Sequence, residues 1–210
     1  MRWTGALAGL TTSERVAGTA VPGTTPDVFV YVPPDVARVQ PVRVLVALHG
    51  MGGDGPTFSR DLLADAAANH WVLVAPTFAY RDYKDPAQVL ADDTANLPRL
   101  AALLDGLPAR TGLVLRPRVL LYGFSRGAQT AQRFATVYPE RVLGVVALSA
   151  ADYTLPSAVA PEGGGALPFP YGVADQRAIF GRPFDLAASN PAMAYLTHAC
   201  CHGWQENERS

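Results

Sequence analysis

The stretch GFSRG, Gly123-Phe124-Ser125-Arg126-Gly127, stands between a strand-like and a helix-like segment. Residues 118–122 (RVLLY) form an apolar run typical of a strand, and residues 128–142 (AQTAQRFATVYPERV) are typical of a helix. A serine at a sharp strand-to-helix turn has strained backbone angles, and its neighbours two positions away must be small. The strain lifts the hydroxyl clear of the sheet, above the N–H groups of the helix N-terminus. The spacing predicts that Ser125 is a nucleophile rather than a merely structural serine.

Buried strands and helices alternate on both sides of this stretch. The strands are predicted at residues 27–32, 42–48, 71–75, 118–122 and 142–148, and helices at 58–69, 92–104 and after Ser125. This alternation predicts an α/β fold with a mostly parallel central sheet and helices on both faces. Residues 156–170 are rich in Pro, Gly and Ala and predict a loop, whereas residues 175–180 and 187–199 are compatible with helices. No further buried strand is recognisable after Leu148, so the last strands of the sheet are expected to be missing.

A second glycine-rich turn, His49-Gly50-Met51-Gly52-Gly53, follows the second predicted strand. Acyl transfer needs two N–H donors for the oxyanion, one from the residue after the nucleophile and one from such a loop. These donors are predicted to be the N–H groups of Arg126 and Met51, and the glycines allow the backbone to approach a carbonyl closely. His49 is predicted to brace this loop rather than to act in catalysis.

Four segments in the expected order resemble the α/β-hydrolase superfamily, of the bacterial esterase and lipase type. They are LHGMGG, APTF, LLYGFSRGAQTAQRFA and YPERVLGVVALSA, within residues 27–150. The resemblance implies one α/β-hydrolase domain over residues 1–210, with 27–150 as its recognisable core and 151–210 as a divergent C-terminal region. It also implies a serine hydrolase without cofactor that works through an acyl-enzyme on Ser125.

The resemblance further implies an order along the chain of nucleophile, then acid, then histidine. Only His198 and His202 follow Ser125, so one of them is the expected base. Asp152, after the fifth predicted strand, and Asp175 are the candidate acids. Each of them, like Asp185, is individually better explained as a loop or helix-capping carboxylate.

The chain departs from the family pattern after about residue 189. Both cysteines, Cys200 and Cys201, and two of the four histidines lie in the last thirteen residues. Two interpretations stay open: a truncated or frameshifted chain, or a compact variant whose terminal histidine folds back to Ser125. Truncation leaves an open sheet edge and predicts a homodimer formed through that edge.

Residues 80–85 follow the third predicted strand, on the side of the sheet where ligands bind. With Gly50, the tyrosines Tyr80 and Tyr83 are predicted to contact substrate, although a solvated loop is an equal alternative. The side chain of Arg126 is expected to pair with a helix carboxylate below the turn. No residue spacing predicts a metal site, since the pair His198 and His202 lacks the flanking acids of a metalloprotease motif.

Overall composition excludes several classes of function. There are 17 Lys and Arg against 18 Asp and Glu, and a net charge of -1 gives no reason to expect nucleic acid as a partner. No apolar run is long enough to span a membrane, and the N-terminus predicts no signal peptide, so a cytoplasmic location is expected.

The predicted function is hydrolysis of a small-molecule carboxylic ester. Within enzymes, a peptidase or a polyester depolymerase is the alternative. The alternative of another class is a catalytically inactive fold that binds a partner or has no activity, and the placement of His198 and His202 decides between them.

Overall fold

Five strands form one sheet in the computed structural model, which describes residues 28–34 and 36–189. They are β1 (Val28–Tyr31), β2 (Val44–Leu48), β3 (Val72–Pro76), β4 (Val119–Phe124) and β5 (Val142–Leu148). Their order across the sheet is β1-β3-β2-β4-β5. The β1–β3 pair is antiparallel and the other three pairs are parallel. The predicted α/β fold with a mostly parallel sheet is confirmed.

The two faces of the sheet are covered by different helices. Every residue of β2 and β3 is buried, as expected for central strands covered on both sides. Val44, Val46 and Leu48 of β2 belong to a core that includes Leu97, Leu100 and Phe134 from two long helices. Leu45 and Ala47, which point to the opposite face, pack in a smaller core with Ala66. Helices therefore lie on both faces, as the sequence predicted.

The two long helices are α3 (Pro86–Thr111) and α4 (Arg126–Val137). The sequence predicted α3 only over residues 92–104. It begins earlier because Asp85 caps it, accepting the Ala87 N–H at 2.9 Å, and because Pro86 stands in the first turn, where no N–H is needed. It ends later, at Thr111, because Gly112, with a φ of 68°, forms a left-handed C-terminal cap.

The predicted helix at residues 58–69 is broken into three pieces. They are α1 (Gly55–Ser59), a 3-10 turn (Arg60–Leu62) and α2 (Leu63–Ala68). Asp54 caps α1 by accepting the Thr57 N–H at 2.8 Å. Gly55 lies so close to β3 that an added Cβ would stand 2.1 Å from the Ala75 carbonyl oxygen. This contact with the sheet fixes the start of α1 three residues before the predicted helix.

After β5, the described residues contain no further strand of the sheet. Residues 156–170 are loop with one 3-10 turn (Pro161–Gly163), as predicted. Two short helices follow, α5 (Gln176–Phe180) and α6 (Leu186–Ser189). The remainder of the predicted helix at 187–199 lies outside the described residues. None of the helices in the described ranges has the length and apolarity required to cross a membrane.

Candidate active site

Ser125 occupies a sharp turn between the last residue of β4 and the first residue of α4. Its φ is 53° and its ψ is -118°, a strained conformation for a residue with a side chain. The Ser125 N–H donates to the Leu148 carbonyl oxygen at the end of β5, 2.8 Å away. Its own carbonyl accepts the N–H groups of Ala128 and Gln129, which starts the helix. Ser125 thus stands at the carboxyl edge of the parallel strands, where the sequence placed it.

The two glycines that flank Ser125 are required by packing. An added Cβ at Gly123 would lie 2.3 Å from the Gly127 carbonyl oxygen. An added Cβ at Gly127 would lie 2.0 Å from the Leu48 carbonyl oxygen, on the neighbouring strand β2. Both distances are far shorter than non-bonded contacts allow. The spacing of GFSRG is therefore the spacing that lets the first turn of α4 pack directly against β4 and β2.

The glycine-rich loop after β2 lies next to Ser125. An added Cβ at Gly50 would be 3.4 Å from the Ser125 Cβ and 3.4 Å from the Phe124 ring. Met51 follows with a side chain that is 47% exposed. Arg126, as the first residue of α4, has an N–H with no acceptor inside the helix. Gly50 thus lies beside the nucleophile, and Met51 is the next residue of the loop; the donor roles of the Met51 and Arg126 N–H groups stay a prediction.

His49 is buried and holds this loop in place. Its Nε2 accepts the Phe78 N–H at 3.0 Å, so the proton must be on Nδ1, which donates to the Gly50 carbonyl oxygen at 2.6 Å. Burial lowers the pKa of His49 from its ordinary value of 6.5, which keeps the ring neutral. With both ring nitrogens engaged, His49 braces the loop, in agreement with its predicted role.

The other histidine in the described ranges, His70, precedes β3 and lies at the opposite end of the parallel strands from Ser125. It is not placed to accept the Ser125 proton. The predicted bases His198 and His202 lie outside the described residues, as do Cys200 and Cys201.

The candidate acids have different surroundings. Asp152 accepts hydrogen bonds on Oδ1 from Arg133 and, at 2.9 Å, from Gln129 Nε2, so α4 holds this carboxylate in place. Asp175 accepts the Phe169 N–H at 2.7 Å and stands just before α5. Asp185 accepts the Ala188 N–H at 3.0 Å, as a cap of α6 does. A catalytic role for Asp152 or Asp175 stays a prediction.

A buried layer of charge lies below Ser125, between α3 and α4. Arg126 is 1% exposed, and its Nη2 donates to Asp93 Oδ1 at 2.9 Å. Arg133, also fully buried, donates to Asp93 Oδ2 at 3.1 Å and to Asp152. The expected pairing of Arg126 with a helix carboxylate is therefore present. The sequence did not single out Asp93 or Arg133; a carboxylate on an otherwise apolar helix face was the available signal.

The two tyrosines predicted to contact substrate have different environments. The Tyr80 ring lies 5.3 Å from the His49 ring and 5.2 Å from the Arg126 guanidinium carbon. Its hydroxyl accepts a hydrogen bond from Thr130 Oγ1 at 3.3 Å, and burial raises its pKa. Tyr83 is in an exposed loop, with the Lys84 ammonium 5.7 Å from its ring centre. Contact of Gly50, Tyr80 or Tyr83 with substrate stays a prediction.

Metal-ligating side chains are not grouped in this site. Residues 28–34 and 36–189 contain no cluster of three or more His, Cys, Asp or Glu side chains that could hold a metal ion.

Comparison with known proteins identifies the fold. No family model and no curated protein matches the sequence. Among solved structures, poly(aspartic acid) hydrolase-1 from Sphingomonas sp. KT-1 is similar over 81% of this chain and 65% of its own, with a TM-score of 0.59 and 23% identity.

Two further structures are similar at a lower level. The poly(3-hydroxybutyrate) depolymerase from Bordetella parapertussis matches 67% of this chain and 52% of its own, with a TM-score of 0.52 and 22% identity. The fluorophosphonate-binding serine hydrolase F from Staphylococcus aureus matches 63% of this chain and 55% of its own, with a TM-score of 0.51 and 18% identity. The chain thus spans between about half and two thirds of the length of these structures. From the sheet order, the turn at Ser125 and these similarities, the chain has the α/β-hydrolase fold.

Proposed function

We propose that the protein hydrolyses carboxylic esters through an acyl-enzyme on Ser125. The observation that carries the proposal is the strained backbone of Ser125, at φ 53°, beside a glycine-rich loop that approaches its Cβ. Strain of this kind persists where the surrounding structure enforces it, and it is concentrated at active sites. The similar structures support the same chemistry, because their names include a serine hydrolase and a poly(3-hydroxybutyrate) depolymerase.

In the proposed reaction, the Ser125 hydroxyl oxygen attacks the ester carbonyl carbon and gives its proton to a histidine base. The carbonyl oxygen becomes an oxyanion, which the N–H groups of Met51 and Arg126 stabilise. The carbon–oxygen bond to the alcohol then breaks, and the histidine returns the proton to the leaving alcohol. The same histidine then deprotonates a water, which attacks the acyl carbon of the acyl-enzyme. The bond from that carbon to the Ser125 oxygen breaks, the histidine returns the proton to Ser125, and the acid leaves.

The base in this proposal is His202 or His198, oriented by Asp152 or Asp175. His49 does not qualify, because its two ring nitrogens are engaged with Phe78 and Gly50. The Oδ1 atom of Asp152 already accepts two hydrogen bonds from α4, which fixes the carboxylate and leaves Oδ2 for a further donor. This arrangement makes Asp152 the first acid to test.

The substrate is proposed to be a small-molecule ester that meets Ser125 along a partly apolar surface. Phe124, whose ring lies next to Gly50, is 45% exposed, and Met51, the next residue of the loop, is 47% exposed. Apolar side chains at the rim suit the acyl part of an ester better than a charged group. A peptide or polyester substrate is the alternative within the same chemistry.

The test is hydrolysis of p-nitrophenyl acetate by the whole chain, by Ser125→Ala and by the control Ser157→Ala. Ser157 has a hydroxyl that bonds only within its own exposed loop, to the Val159 carbonyl oxygen at 2.7 Å. We expect turnover that Ser125→Ala abolishes and Ser157→Ala preserves. Equal background rates in all three proteins would instead support the alternative, a hydrolase fold without catalytic activity.

A further inference from the structure

The guanidinium of Arg126 is buried below the nucleophile and is held by a single helix. Its Nη2 donates to Asp93 Oδ1 at 2.9 Å and to the Val89 carbonyl oxygen at 3.2 Å, both on α3. Its Nε and Nη1 atoms are buried and make no hydrogen bond with the described residues. Burying a cation with unused donors is unfavourable for folding, so stability alone does not explain this side chain.

The same guanidinium is linked, through two aromatic rings, to the loop that carries the second predicted oxyanion donor. The Tyr80 ring packs against it, with 5.2 Å between the guanidinium carbon and the ring centre. Tyr80 in turn packs against His49, which fixes the Gly50 carbonyl directly before Met51. The rings of Tyr80 and His49 therefore connect the Arg126 side chain to the loop of Met51, which is predicted to supply the second oxyanion donor.

Asp93 ties this arrangement to the rest of the site. Its Oδ2 atom accepts a hydrogen bond from Arg133 Nη1 at 3.1 Å, and Arg133 also donates to Asp152 in the segment after β5. The carboxylate of Asp93 thus connects Arg126 with Arg133, which also donates to Asp152. Because all these groups except Asp152 are fully buried, their charges are weakly screened and their positions are tightly coupled.

We propose that the Arg126 side chain, held by Asp93, is a positioning group that sets the separation between the Met51 and Arg126 N–H donors. The inference rests on the proposed ester hydrolysis. A misplacement of about 1 Å in an active site lowers the rate by about 100-fold. We therefore expect Arg126→Ala to lower kcat by about that factor and to leave KM nearly unchanged, since the backbone N–H is retained.

Arg141 offers a matched control at the other end of the sheet. It pairs with Asp105 at 2.5 Å, and its guanidinium lies 6.0 Å from the ring centre of Tyr138. Arg141→Ala removes the same kinds of contact and is expected to leave kcat unchanged. Methylguanidinium added to Arg126→Ala should restore part of the lost kcat, whereas methylammonium, which lacks the planar face that packs on Tyr80, should not.

Arg126→Lys keeps the positive charge beside Asp93, and it is the second test variant if Arg126→Ala does not fold. We expect it to fold, and to lose about 10-fold in kcat because an ammonium has no planar face to pack against the Tyr80 ring. A parental kcat in a folded Arg126→Ala or Arg126→Lys would overturn the proposal.

Hydrogen exchange tests the same proposal without any catalytic readout. In Arg126→Ala, the amides of residues 49–53 should exchange faster than in the parent, while those of β2 and β3 stay protected; Arg141→Ala should change neither. Unchanged exchange at 49–53 would refute the positioning role even in an active enzyme. If the parent shows no Ser125-dependent hydrolysis, ester hydrolysis fails as the function, and the exchange data still decide whether Arg126 orders the loop.

Discussion

Replacing Gly127 with alanine places a methyl group where the structure has no room for it. The added Cβ would lie 2.0 Å from the Leu48 carbonyl oxygen and 2.5 Å from that of His49. Cβ atoms essentially never come closer than 3.0 Å to such atoms, so the start of α4 must move away from β2 by about 1 Å. Both contacts are backbone atoms, which cannot swing aside.

The shift has two measurable consequences. Overpacking of this kind lowers the free energy of unfolding by about 1–3 kcal/mol. It also moves Ser125 and the Arg126 N–H relative to Met51, which is expected to lower kcat by about 100-fold. Urea denaturation gives the first quantity, and hydrolysis of p-nitrophenyl acetate at saturating substrate, corrected for the folded fraction, gives the second.

Gly144→Ala is the control for this prediction. Gly144 lies in β5, and its added Cβ would make an ordinary contact, 3.6 Å from the Leu120 side chain. We expect this variant to keep parental kcat and to be as stable as the parent or slightly more stable, by about 0.4–1 kcal/mol. A Gly127→Ala protein with parental stability and kcat would refute the reasoning that packing of α4 against β2 builds the site.

Three more predictions concern the histidines and the acids. Burial lowers the pKa of His49, so below about pH 7 the unfolded chain binds more protons at this residue than the folded chain does. The contribution of neutral His49 to the free energy of unfolding is therefore fully present above its ordinary pKa of 6.5. It is lost as the pH falls toward the pKa of His49 in the folded protein. Urea unfolding from pH 7.5 to 5 should show this decline, and an equally steep decline in His49→Asn would contradict it. We expect the kcat of one of the variants His202→Ala and His198→Ala to fall by about a million-fold, and that of the other to change little. A parental kcat in both variants would exclude His198 and His202 as the base. Asp152→Asn should lower kcat by about 10⁴-fold if it orients the base, while Asp175→Asn should mainly lower stability, and the reverse pattern would assign the acid to Asp175.

The strands and the turn at Ser125 could be predicted because their causes are local. Runs of buried β-branched residues define β2, β3 and β5, and the predicted bounds of β5 agree with the observed Val142–Leu148. The spacing of Gly123, Ser125 and Gly127 is itself a steric requirement of the turn. A requirement met within five residues is visible in the sequence.

The remaining features depend on contacts between distant segments. The start of α1 is set by the approach of Gly55 to Ala75, twenty residues away along the chain. Asp93 lies on the apolar face of α3, but its partners Arg126 and Arg133 are on α4, and the sequence pattern does not pair residues so far apart. The early start of α3, in contrast, has a local cause. Asp85 and Pro86 form a helix start signal that is visible in the sequence, and this signal outweighs the weak apolar periodicity of the first turns of α3.

The most direct test of the central claim is covalent labelling of the whole chain with a fluorophosphonate. An activated Ser125 attacks the phosphorus and displaces fluoride, which leaves a stable adduct. Intact-protein and peptide mass spectrometry should find one adduct, on Ser125, and none in Ser125→Ala. An unlabelled parent, or labelling that persists in Ser125→Ala, would contradict the assignment of Ser125 as the nucleophile.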